Sequence, residues 1–521
     1  MRGMSQYIKI LFFTLPLWFL SCSNYLKEDP KSELPHDEVI TDAQSLYNNA
    51  VSALYNHIGS AENGSGLQGT YRGVYDLQTF TTDEAIIPTR GGDWYDGGLW
   101  QDLYLHQFTP DNEVIENAWN YLYKVIALAN LSLDIIDQHK DLLDDSQIIF
   151  YKAEVRALRA MYYYYLLDLY GNVPIILQTN LSMANIAQSS RKEVFNFVYD
   201  ELTDCMPYLS PEMSHKQGTF YGHITQPVAN FVLMKLMLNS EVWIGSAMYD
   251  KAIEYADIIS SFGYSLSENQ TDCFAVYNEQ NNENIFCIPM DKMLYQTKFC
   301  NQFRSMHYQH GAAIGYGGEN GAAATLEALD AFGYGTQQVD TRFYTTYFAD
   351  TVFVDDQPLH LSNGDILIYR PKEIKLDLTA SKYVATAGAR MYKYAIDPTG
   401  FSDGKLRDND IVLFRYADVL LTKAEALVRL GKDGSECLNQ IRQRANMPLI
   451  DATLDNILDE RLRELAWEGW RRQDMIRFST FFLPYSNRPA MPLEQTHYTQ
   501  LFPIPQTIID MNQNIKQNPY Y

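Results

Sequence analysis

Residues 75–100 form a predicted glycine-rich loop that carries two tryptophans beside charged groups. Trp94 lies between two pairs of glycines, and Trp100 follows the second pair. A flat indole ring on a loop can cover the apolar C–H face of a sugar, while neighbouring polar groups bind the hydroxyls. The alternative is that these tryptophans fold back and pack against helices. We favour sugar binding, for Trp94 above Trp100, with these neighbours as candidate ligand-binding side chains: Asp83, Arg90, Asp93 and Tyr95.

A second polar segment, residues 303–321, lies among glycines in the middle of the chain. Its histidines, His307 and His310, have a spacing that a metal site can use, but a single pair in a loop is a weak indication. Because no third ligand stands at a matching spacing, we favour histidines that only form hydrogen bonds. The segment adds further candidates for ligand binding: Tyr308, Tyr316 and Asn320.

Three glutamates recur at every fourth position late in the chain, Glu460, Glu464 and Glu468. Paired carboxylates serve as catalytic groups in glycosidases, but each of these glutamates has an arginine close to it in the sequence. An ion-pair network that joins helices is therefore the favoured interpretation. The sequence also lacks HExxH, GxSxG and P-loop motifs. We predict a binding protein and not an enzyme, with no metal or other cofactor.

The elements that position these residues are predicted to be mostly helical. Residues 151–174 carry two apolar stripes at helical spacing, and Gly171 and Pro174 end the helix. A helix with one stripe covers a core from outside, whereas a helix with two is held on both sides, as in stacked helical repeats. Other amphipathic stretches predict helix pairs similar to tetratricopeptide repeats, at about residues 42–58, 112–137, 191–209, 225–244 and 249–261.

Residues 263–408 depart from this helical period. Aromatic residues, glycines and runs of asparagine or glutamine replace it, and short strands are predicted at 366–369 and 390–394. Long loops are usually functional or disordered, and the aromatic content argues against disorder. We therefore predict an irregular ligand-binding lobe. Helices are expected to return from residue 410, with further helices at 434–445 and 454–472.

The chain is acidic, with a formal net charge of −23 at pH 7, which disfavours nucleic acid as a partner. At the N-terminus, Arg2 and Lys9 precede a short apolar run, as in an export signal. The run ends in Phe19-Leu20-Ser21-Cys22, which is similar to a bacterial lipobox, in which the cysteine is acylated after cleavage. Ordinary secretion is the alternative. The remaining cysteines are predicted to be mostly buried, with at most one disulfide: Cys205, Cys273, Cys287, Cys300 and Cys437.

Motifs along nearly the whole chain resemble those of one protein family. An aromatic-Leu-acidic-Pro opening stands at 25–30, and the helix at 151–174 carries Arg159-Ala160 before ending in Tyr-Gly-Asn-Val-Pro. Later motifs stand at 414–426, 441–445, 460–477, 502–505 and 517–520. In their order and spacing, these motifs resemble the SusD/RagB family of outer-membrane nutrient-binding lipoproteins.

The resemblance implies a mainly α fold, with four tetratricopeptide-like helix pairs forming a right-handed superhelical scaffold packed against an irregular loop-rich lobe with short strands. It also implies a partner, a SusC-like TonB-dependent outer-membrane transporter, over which the lipoprotein sits as a hinged lid. Family members mostly bind oligosaccharides or polysaccharides on an aromatic platform, and some bind peptides. The family often has Trp-Asn-Gly where this chain has Glu319-Asn320-Gly321, so Tyr308 or Tyr316 would have to complete the platform.

The resulting prediction is a lipid-anchored, surface-exposed protein of the outer membrane that captures a glycan and delivers it to the transporter. Trp94, with Asp83 and Arg90, lies in the region where glycan-binding members of the family carry platform and hydrogen-bonding residues. The alternatives are a peptide-capturing lipoprotein of the RagB type and a helical-repeat scaffold of a surface complex. The predicted organisation is a signal peptide at 1–21, a tether anchored by Cys22 at 22–40, an N-terminal helical region at 41–262, the irregular lobe at 263–408 and a C-terminal helical region at 409–521.

Overall fold

Stacked helices form the largest share of the regular structure in the computed structural model, which describes residues 39–182, 185–215 and 218–521. The predicted signal peptide, Cys22 and most of the tether lie outside the described residues. Within those ranges, no helix is both long enough and apolar enough to cross a membrane. In chain order the helices are α1 (Ala43–Tyr47), α2 (Ala53–Tyr55), α3 (Val74–Thr79), α4 (Leu99–Tyr104), α5 (Glu113–Gln138), α6 (Asp145–Leu169), α7 (Arg191–Cys205), α8 (Gln226–Leu238), α9 (Ser240–Ile244), α10 (Tyr249–Ser261), α11 (Asn301–Ser305), α12 (Tyr308–Ala313), α13 (Leu326–Ala331), α14 (Phe343–Thr346), α15 (Tyr416–Arg429), α16 (Ser435–Arg444), α17 (Leu454–Leu465), α18 (Arg471–Arg477) and α19 (Gln506–Met511).

Helix α6 is the predicted helix with two apolar stripes, and it lies at the centre of the stack. It begins at a capping box in which Asp144 and Gln147 each bind the other's backbone N–H, at 2.9 and 3.0 Å. Nearly every side chain from residue 151 to residue 169 is buried, because α5 packs against one side and α7 against another. Gly171 follows the helix with φ 72°, a conformation that favours glycine. The predicted packing on both sides is confirmed.

Polar side chains of α6 tie it to its neighbours. Arg159 binds Glu201 of α7 at 2.9 Å. Glu154 is buried and accepts hydrogen bonds from the hydroxyls of Tyr47 in α1 and Tyr55 in α2, at 2.8 and 2.6 Å. A buried carboxylate requires such donors to offset its lost hydration. These bonds fasten the N-terminal helices to the centre of the stack.

The helix stack confirms the predicted mainly α class, with tetratricopeptide-like helix pairs packed against an irregular lobe. Helices α5, α6 and α7 pack in sequence, α8 packs on α10, and α10 packs on α15, which also contacts α16 and α17. The predicted burial of the five cysteines is confirmed as well, and all of them are free: Cys205, Cys273, Cys287, Cys300 and Cys437.

Short antiparallel strand pairs organise the irregular lobe. The strands are β1 (Ala85–Ile86), β2 (Asn284–Ile288), β3 (Ala323–Ala324), β4 (Tyr347–Phe348), β5 (Asp350–Thr351), β6 (Phe353–Val354), β7 (Gln357–Pro358), β8 (Ile368–Tyr369), β9 (Arg390–Met391) and β10 (Ile411–Arg415). β1 pairs with β3, β2 with β10, β4 with β9, β5 with β8, and β6 with β7. Two of these strands, β8 and β9, lie in the segments that were predicted as strands.

Two predictions for the C-terminal region are wrong in detail. The chain continues after residue 410 as strand β10, and helix α15 begins only at Tyr416. The helix predicted over 454–472 ends at Leu465, because Trp467 and Gly469 have left-handed backbone conformations, with φ of 66° and 75°. The break leaves the Trp467 N–H free to donate to Glu84 Oε1 at 2.8 Å. This contact joins the C-terminal helices to the start of the glycine-rich loop.

The glutamates that recur at every fourth position form the predicted ion-pair network. Glu464 is fully buried and binds Arg342 at 2.8 Å, Arg415 at 2.5 Å and also Arg444. The structural interpretation of these carboxylates is therefore confirmed over the catalytic one. The other two glutamates, Glu460 and Glu468, bind further basic side chains: Arg342, Arg442, Arg463, Lys393 and Arg415.

Candidate functional site

The pairing of β1 with β3 brings together the two segments that the sequence singles out. The segment predicted as a loop over 75–100 begins in helix α3 and contains strand β1, and β3 follows the polar segment 303–321. Ala85 lies opposite Ala324, and Ile86 lies opposite Ala323. Because paired strands are only about 5 Å apart, the segments attached to them must run side by side.

Residues 90–93 form a tight turn immediately before Trp94. The Arg90 N–H donates to the Asp93 carbonyl at 2.9 Å, and the Asp93 N–H donates back at 3.1 Å. Between them, Gly91 has φ 67°, and a side chain at Gly91 or Gly92 would meet no atom within 4 Å. The turn therefore projects from the protein, and Trp94 follows directly after it.

Trp94 is half-buried and held in place by the neighbouring segment. Its indole N–H donates to the Glu319 carbonyl at 2.8 Å. The ring packs so closely on Gly321 that an added Cβ there would lie 2.5 Å from Cε2 of the indole. Trp100 packs against it too, with ring centroids 6.1 Å apart. The indole is thus fixed in position while part of it remains accessible to solvent.

Three other predicted site residues lie at the surface with Trp94. Tyr308 donates its hydroxyl to Asp93 Oδ2 at 2.7 Å, which links the two segments directly. Tyr308 is 45% exposed and Tyr95 is 54% exposed. Partial burial and the Asp93 carboxylate raise the pKa of Tyr308 to about 12, so its hydroxyl keeps its proton at neutral pH. We call these four residues, Trp94, Asp93, Tyr95 and Tyr308, the Trp94 surface.

The structure corrects the prediction for Arg90 and Asn320, which are buried beneath this surface. The Arg90 guanidinium donates to the carbonyls of Val384 and Ala387, at 2.7 and 2.9 Å. Asn320 Oδ1 accepts a hydrogen bond from Arg390 at 2.8 Å. Burial, together with the charge of Arg390, holds the pKa of Arg90 well below its usual value. Both predicted residues support the site without being placed to contact a ligand.

The predictions for Asp83, Trp100 and Tyr316 are corrected too, because each side chain is engaged inside the protein. Asp83 is partly buried, and both its carboxylate oxygens bind Arg471, at 2.6 and 2.8 Å. Trp100 is buried and donates its indole N–H to Asp96. Tyr316 is also buried, and its hydroxyl binds the backbone carbonyl and N–H of Asp397, at 2.9 and 2.8 Å. The residue types suited a sugar site, but residue type alone does not indicate burial.

His307 and His310 form hydrogen bonds, which confirms the favoured interpretation. His307 caps α12 by accepting the Gln309 N–H at 3.2 Å, and His310 Nδ1 lies 3.0 Å from the Tyr369 hydroxyl. Burial lowers the pKa of both histidines to about 4, so both are neutral at pH 7. Among the residues that the structure describes, no group of three or more His, Cys, Asp or Glu side chains is placed to hold a metal ion.

Glu319 is a site residue that the sequence reasoning did not select. Its carbonyl holds the Trp94 indole. Burial raises the pKa of Tyr308 and of Tyr71, and the nearby Glu319 carboxylate adds to both shifts. Within the part of the chain that the structure describes, its carboxylate oxygen Oε2 is buried and makes no hydrogen bond. The family resemblance of the sequence already drew attention to this position, because Glu319 replaces the tryptophan that the resemblance leads one to expect.

Comparison with known proteins gives matches over most of the chain. Residues 282–521 match the SusD family, and residues 24–238 match a family described as starch-binding and associating with the outer membrane. The starch-binding protein SusD of Bacteroides thetaiotaomicron is 25% identical over 492 residues, which cover 88% of this chain and 86% of that protein. A SusD-like protein of Bacteroides ovatus is 24% identical over 497 residues, covering 90% and 81% of the two chains.

Solved structures share the fold. The surface glycan-binding protein A of Bacteroides uniformis superposes with a TM-score of 0.73 at 20% identity, covering 92% of this chain and all of that one. Its namesake from Bacteroides thetaiotaomicron, solved in complex with laminarihexaose, has a TM-score of 0.71 at 20% identity and covers 92% of this chain. The architecture described above is therefore one that these proteins have in common.

Proposed function

Because the chain belongs to the SusD family, we propose that it is a surface glycan-binding protein whose ligand site is the Trp94 surface. It is a binding protein and not an enzyme, since the relatives that it matches over most of their length are named for binding. The fold and the family that the sequence predicts agree with this assignment.

The partly exposed indole of Trp94 is the observation that carries the proposal. The C–H face of a sugar is apolar, and covering it with an aromatic ring removes apolar surface from water. Tyr95 and Tyr308 extend the aromatic area, and Asp93 supplies a hydrogen-bond acceptor beside it. Because hydrogen bonds already fix Trp94 and Tyr308, little side-chain freedom is lost when a ligand binds.

We propose a neutral glucan of the starch or laminarin type as the ligand. The relatives' names support this class, as one is a starch-binding protein and another is solved with laminarihexaose. The charges at the Trp94 surface support it too, because the carboxylates of Asp93 and Glu319 would repel an anionic polysaccharide. The overall charge of −23 acts in the same direction.

A panel of polysaccharides in affinity gel electrophoresis tests this function. We expect amylopectin or laminarin to retard the purified protein, and polygalacturonate to leave its migration unchanged. Retardation by the anionic polymer alone would contradict the ligand class. If no glycan retards the protein, the function is wrong, and binding should then be measured for peptides and for surface proteins, as the RagB-type and scaffold alternatives require.

Gly321→Ala is expected to displace the Trp94 indole and weaken glycan binding about tenfold. The added methyl group would lie 2.5 Å from the indole, so the ring must move away from its position. Gly92→Ala, in the turn just before Trp94, is the matched control, since its Cβ would meet no atom within 4 Å. Affinity gels with both variants measure the effect. Equal retardation of the two variants would show that the position of the ring does not matter.

We further propose that the protein is anchored in the outer membrane through an acylated Cys22, on the cell surface. The lipobox-like sequence before Cys22 supports this proposal, although the residue lies outside the described part of the chain. Cys22→Ala is expected to abolish lipid labelling and to release the protein from the membrane fraction. Labelling that persists in this variant would mean that the anchor is elsewhere.

Delivery of the glycan to a SusC-like TonB-dependent transporter is the remaining part of the proposed function. Membership of the family supports it, and the protein would act as the lid of the transporter. Affinity purification of the tagged protein from detergent-solubilised outer membranes is expected to recover a TonB-dependent barrel. Recovery of the protein without any barrel, under conditions that preserve other membrane complexes, would contradict this role.

A further inference from the structure

A large cavity lies elsewhere on the protein and shares no lining residue with the Trp94 surface. Its volume is about 680 Å³, within the range of about 300–1,000 Å³ that is common for ligand pockets. Its wall is formed by residues 289–295 together with Tyr221, Tyr277, Glu279, Asp408 and Asp410. The cavity thus combines aromatic rings and carboxylates from distant parts of the chain.

Two tyrosines in this wall lie beside aspartates. The Tyr221 hydroxyl donates to Asp410, and the Tyr277 backbone N–H donates to the Asp408 carbonyl at 3.4 Å. Tyr277 is 63% exposed, so its ring offers an open face. An aromatic ring on a backbone that is already held in place loses less entropy when a ligand covers it.

The backbone at Tyr277 has an uncommon conformation. Its φ is 60°, the same value as at Trp94. This left-handed conformation is unfavourable for a residue other than glycine. Such conformations persist where the surrounding structure enforces them, and they concentrate at binding sites. Trp94 and Tyr277 therefore share this strained backbone conformation.

An anchored turn forms another part of the wall. Asp291 Oδ1 accepts the backbone N–H groups of Met293 and Leu294, at 2.8 and 3.1 Å. The Lys292 N–H donates to Asp408 Oδ1 at 3.1 Å, which fastens the turn to the floor of the cavity. Met293 and Leu294 are both exposed at its tip. An unbranched methionine side chain can adapt its shape to a ligand.

Lys292 balances much of the negative charge in the cavity. Its ammonium binds Asp408 and lies 3.3 Å from Asp397 Oδ2. Asp410 is buried, which raises its pKa to about 7. The polar groups therefore include both donors and acceptors, with a lysine already in the position that a cation would take. This character suits a neutral ligand that is rich in hydroxyl groups.

We propose that this cavity is a second glycan-binding site, in which Tyr277 and Met293 cover the sugar faces while Lys292 and Asp408 bind hydroxyl groups. The proposal rests on the proposed function, because both sites would take the same class of neutral oligosaccharide. A polysaccharide that reaches both sites is held more tightly than by either site alone, since its second contact is intramolecular.

Counting bound oligosaccharides by native mass spectrometry tests the second site. With laminarihexaose and maltohexaose as probes, we expect two bound molecules on the wild-type chain, one on Trp94→Ala, one on Tyr277→Ala and none on the double variant. Tyr277→Ala should weaken the second binding event about tenfold or more. Tyr277→Phe, which keeps the ring and loses only the hydroxyl group, should weaken it less.

Tyr344→Ala is the matched control for this experiment. Tyr344 is 53% exposed and its hydroxyl binds Asp350 at 2.9 Å, but it does not line the cavity. We expect this variant to bind as many molecules as the wild type. Equal loss in Tyr344→Ala and Tyr277→Ala would mean that the effect is not local to the cavity and would overturn the proposal.

The outcomes separate this proposal from the proposed function. A single bound molecule that is lost in Trp94→Ala and kept in Tyr277→Ala would overturn the second site and leave the Trp94 surface in place. The reverse pattern would support the cavity and overturn the Trp94 surface. If neither probe binds, both proposals are wrong. If Tyr277→Ala changes only the association with a transporter, the cavity is a protein-docking surface and the glycan assignment is wrong.

Discussion

Trp94→Ala is expected to weaken glycan binding about 10- to 100-fold, because the substitution removes the aromatic face on which a sugar would lie. Burying one large apolar side chain is worth about 1.5–3 kcal/mol, and part of the indole is still exposed in the free protein. The Asp93 and Glu319 acceptors remain in this variant, so some binding should survive. The ratio of dissociation constants, measured by calorimetry with laminarihexaose or maltohexaose, gives the effect.

Two controls distinguish lost binding from lost structure in Trp94→Ala. The indole also packs against Trp100 and Gly321, so the apparent unfolding midpoint of the variant must be compared with that of the wild type. Trp94→Phe keeps a smaller aromatic face and loses the indole N–H that binds the Glu319 carbonyl, so it should bind with intermediate strength. Unchanged affinity in a folded Trp94→Ala variant would place the ligand elsewhere, with the cavity beside Tyr277 as the next site to measure.

From the sequence, the region of the candidate site was easier to predict than the residues that form it. Trp94, Tyr95, Asp93 and Tyr308 lie at the surface, and the first and last of them come from segments more than two hundred residues apart. Their meeting depends on the pairing of two-residue strands, β1 and β3, which have no recognisable pattern on their own. A strand that short is defined by its partner, and the partner cannot be read from one sequence.

Contacts within the protein explain why Asp83 and Arg90 are not placed to bind a ligand. Both residue types bind sugars, but the same types also join segments of a folded chain. Arg471 takes both oxygens of Asp83, and backbone carbonyls take the Arg90 guanidinium. These partners come from residues hundreds of positions away, so the sequence offers no local signal for them. The spacing of apolar residues predicts which side chains are buried only within regular helices and strands.

The fold shows the same difference between features set by local sequence and features set by long-range contacts. Helix α6 was predictable because its two apolar stripes, its capping residues and Gly171 are all local features. The break after Leu465 was not, because it depends on Trp467, whose residue type alone does not indicate a positive φ. That conformation is compensated by long-range contacts such as the bond from the Trp467 N–H to Glu84. Long-range compensation of this kind overrides local helical propensity.

Glu464→Gln is expected to lower the stability of the protein by about 3–5 kcal/mol, because it removes a buried negative charge that three arginines share. Glu464 is completely buried, and its two oxygens bind Arg342, Arg415 and Arg444. Glutamine has the same shape but no charge, and its amide nitrogen would face a guanidinium. The apparent midpoint of urea denaturation at pH 7 measures the loss. Glu436→Gln, at an exposed position on α16, is the matched control and should change the midpoint little.

The pH dependence of this effect identifies its electrostatic origin. Burial alone would raise the pKa of Glu464, but Arg444, Arg415 and Arg342 outweigh it and hold the pKa well below its usual value. A lowered pKa in the folded state means that the stabilisation is fully present above the unfolded pKa of about 4.3 and is lost as the pH falls further. The difference between the wild type and Glu464→Gln should therefore stay constant from about pH 7 to pH 5 and narrow in stronger acid. A difference that is independent of pH down to the acid unfolding of the protein would instead assign the effect to packing, and the ion pairs of Glu464 would then contribute little to the stability of the C-terminal helices.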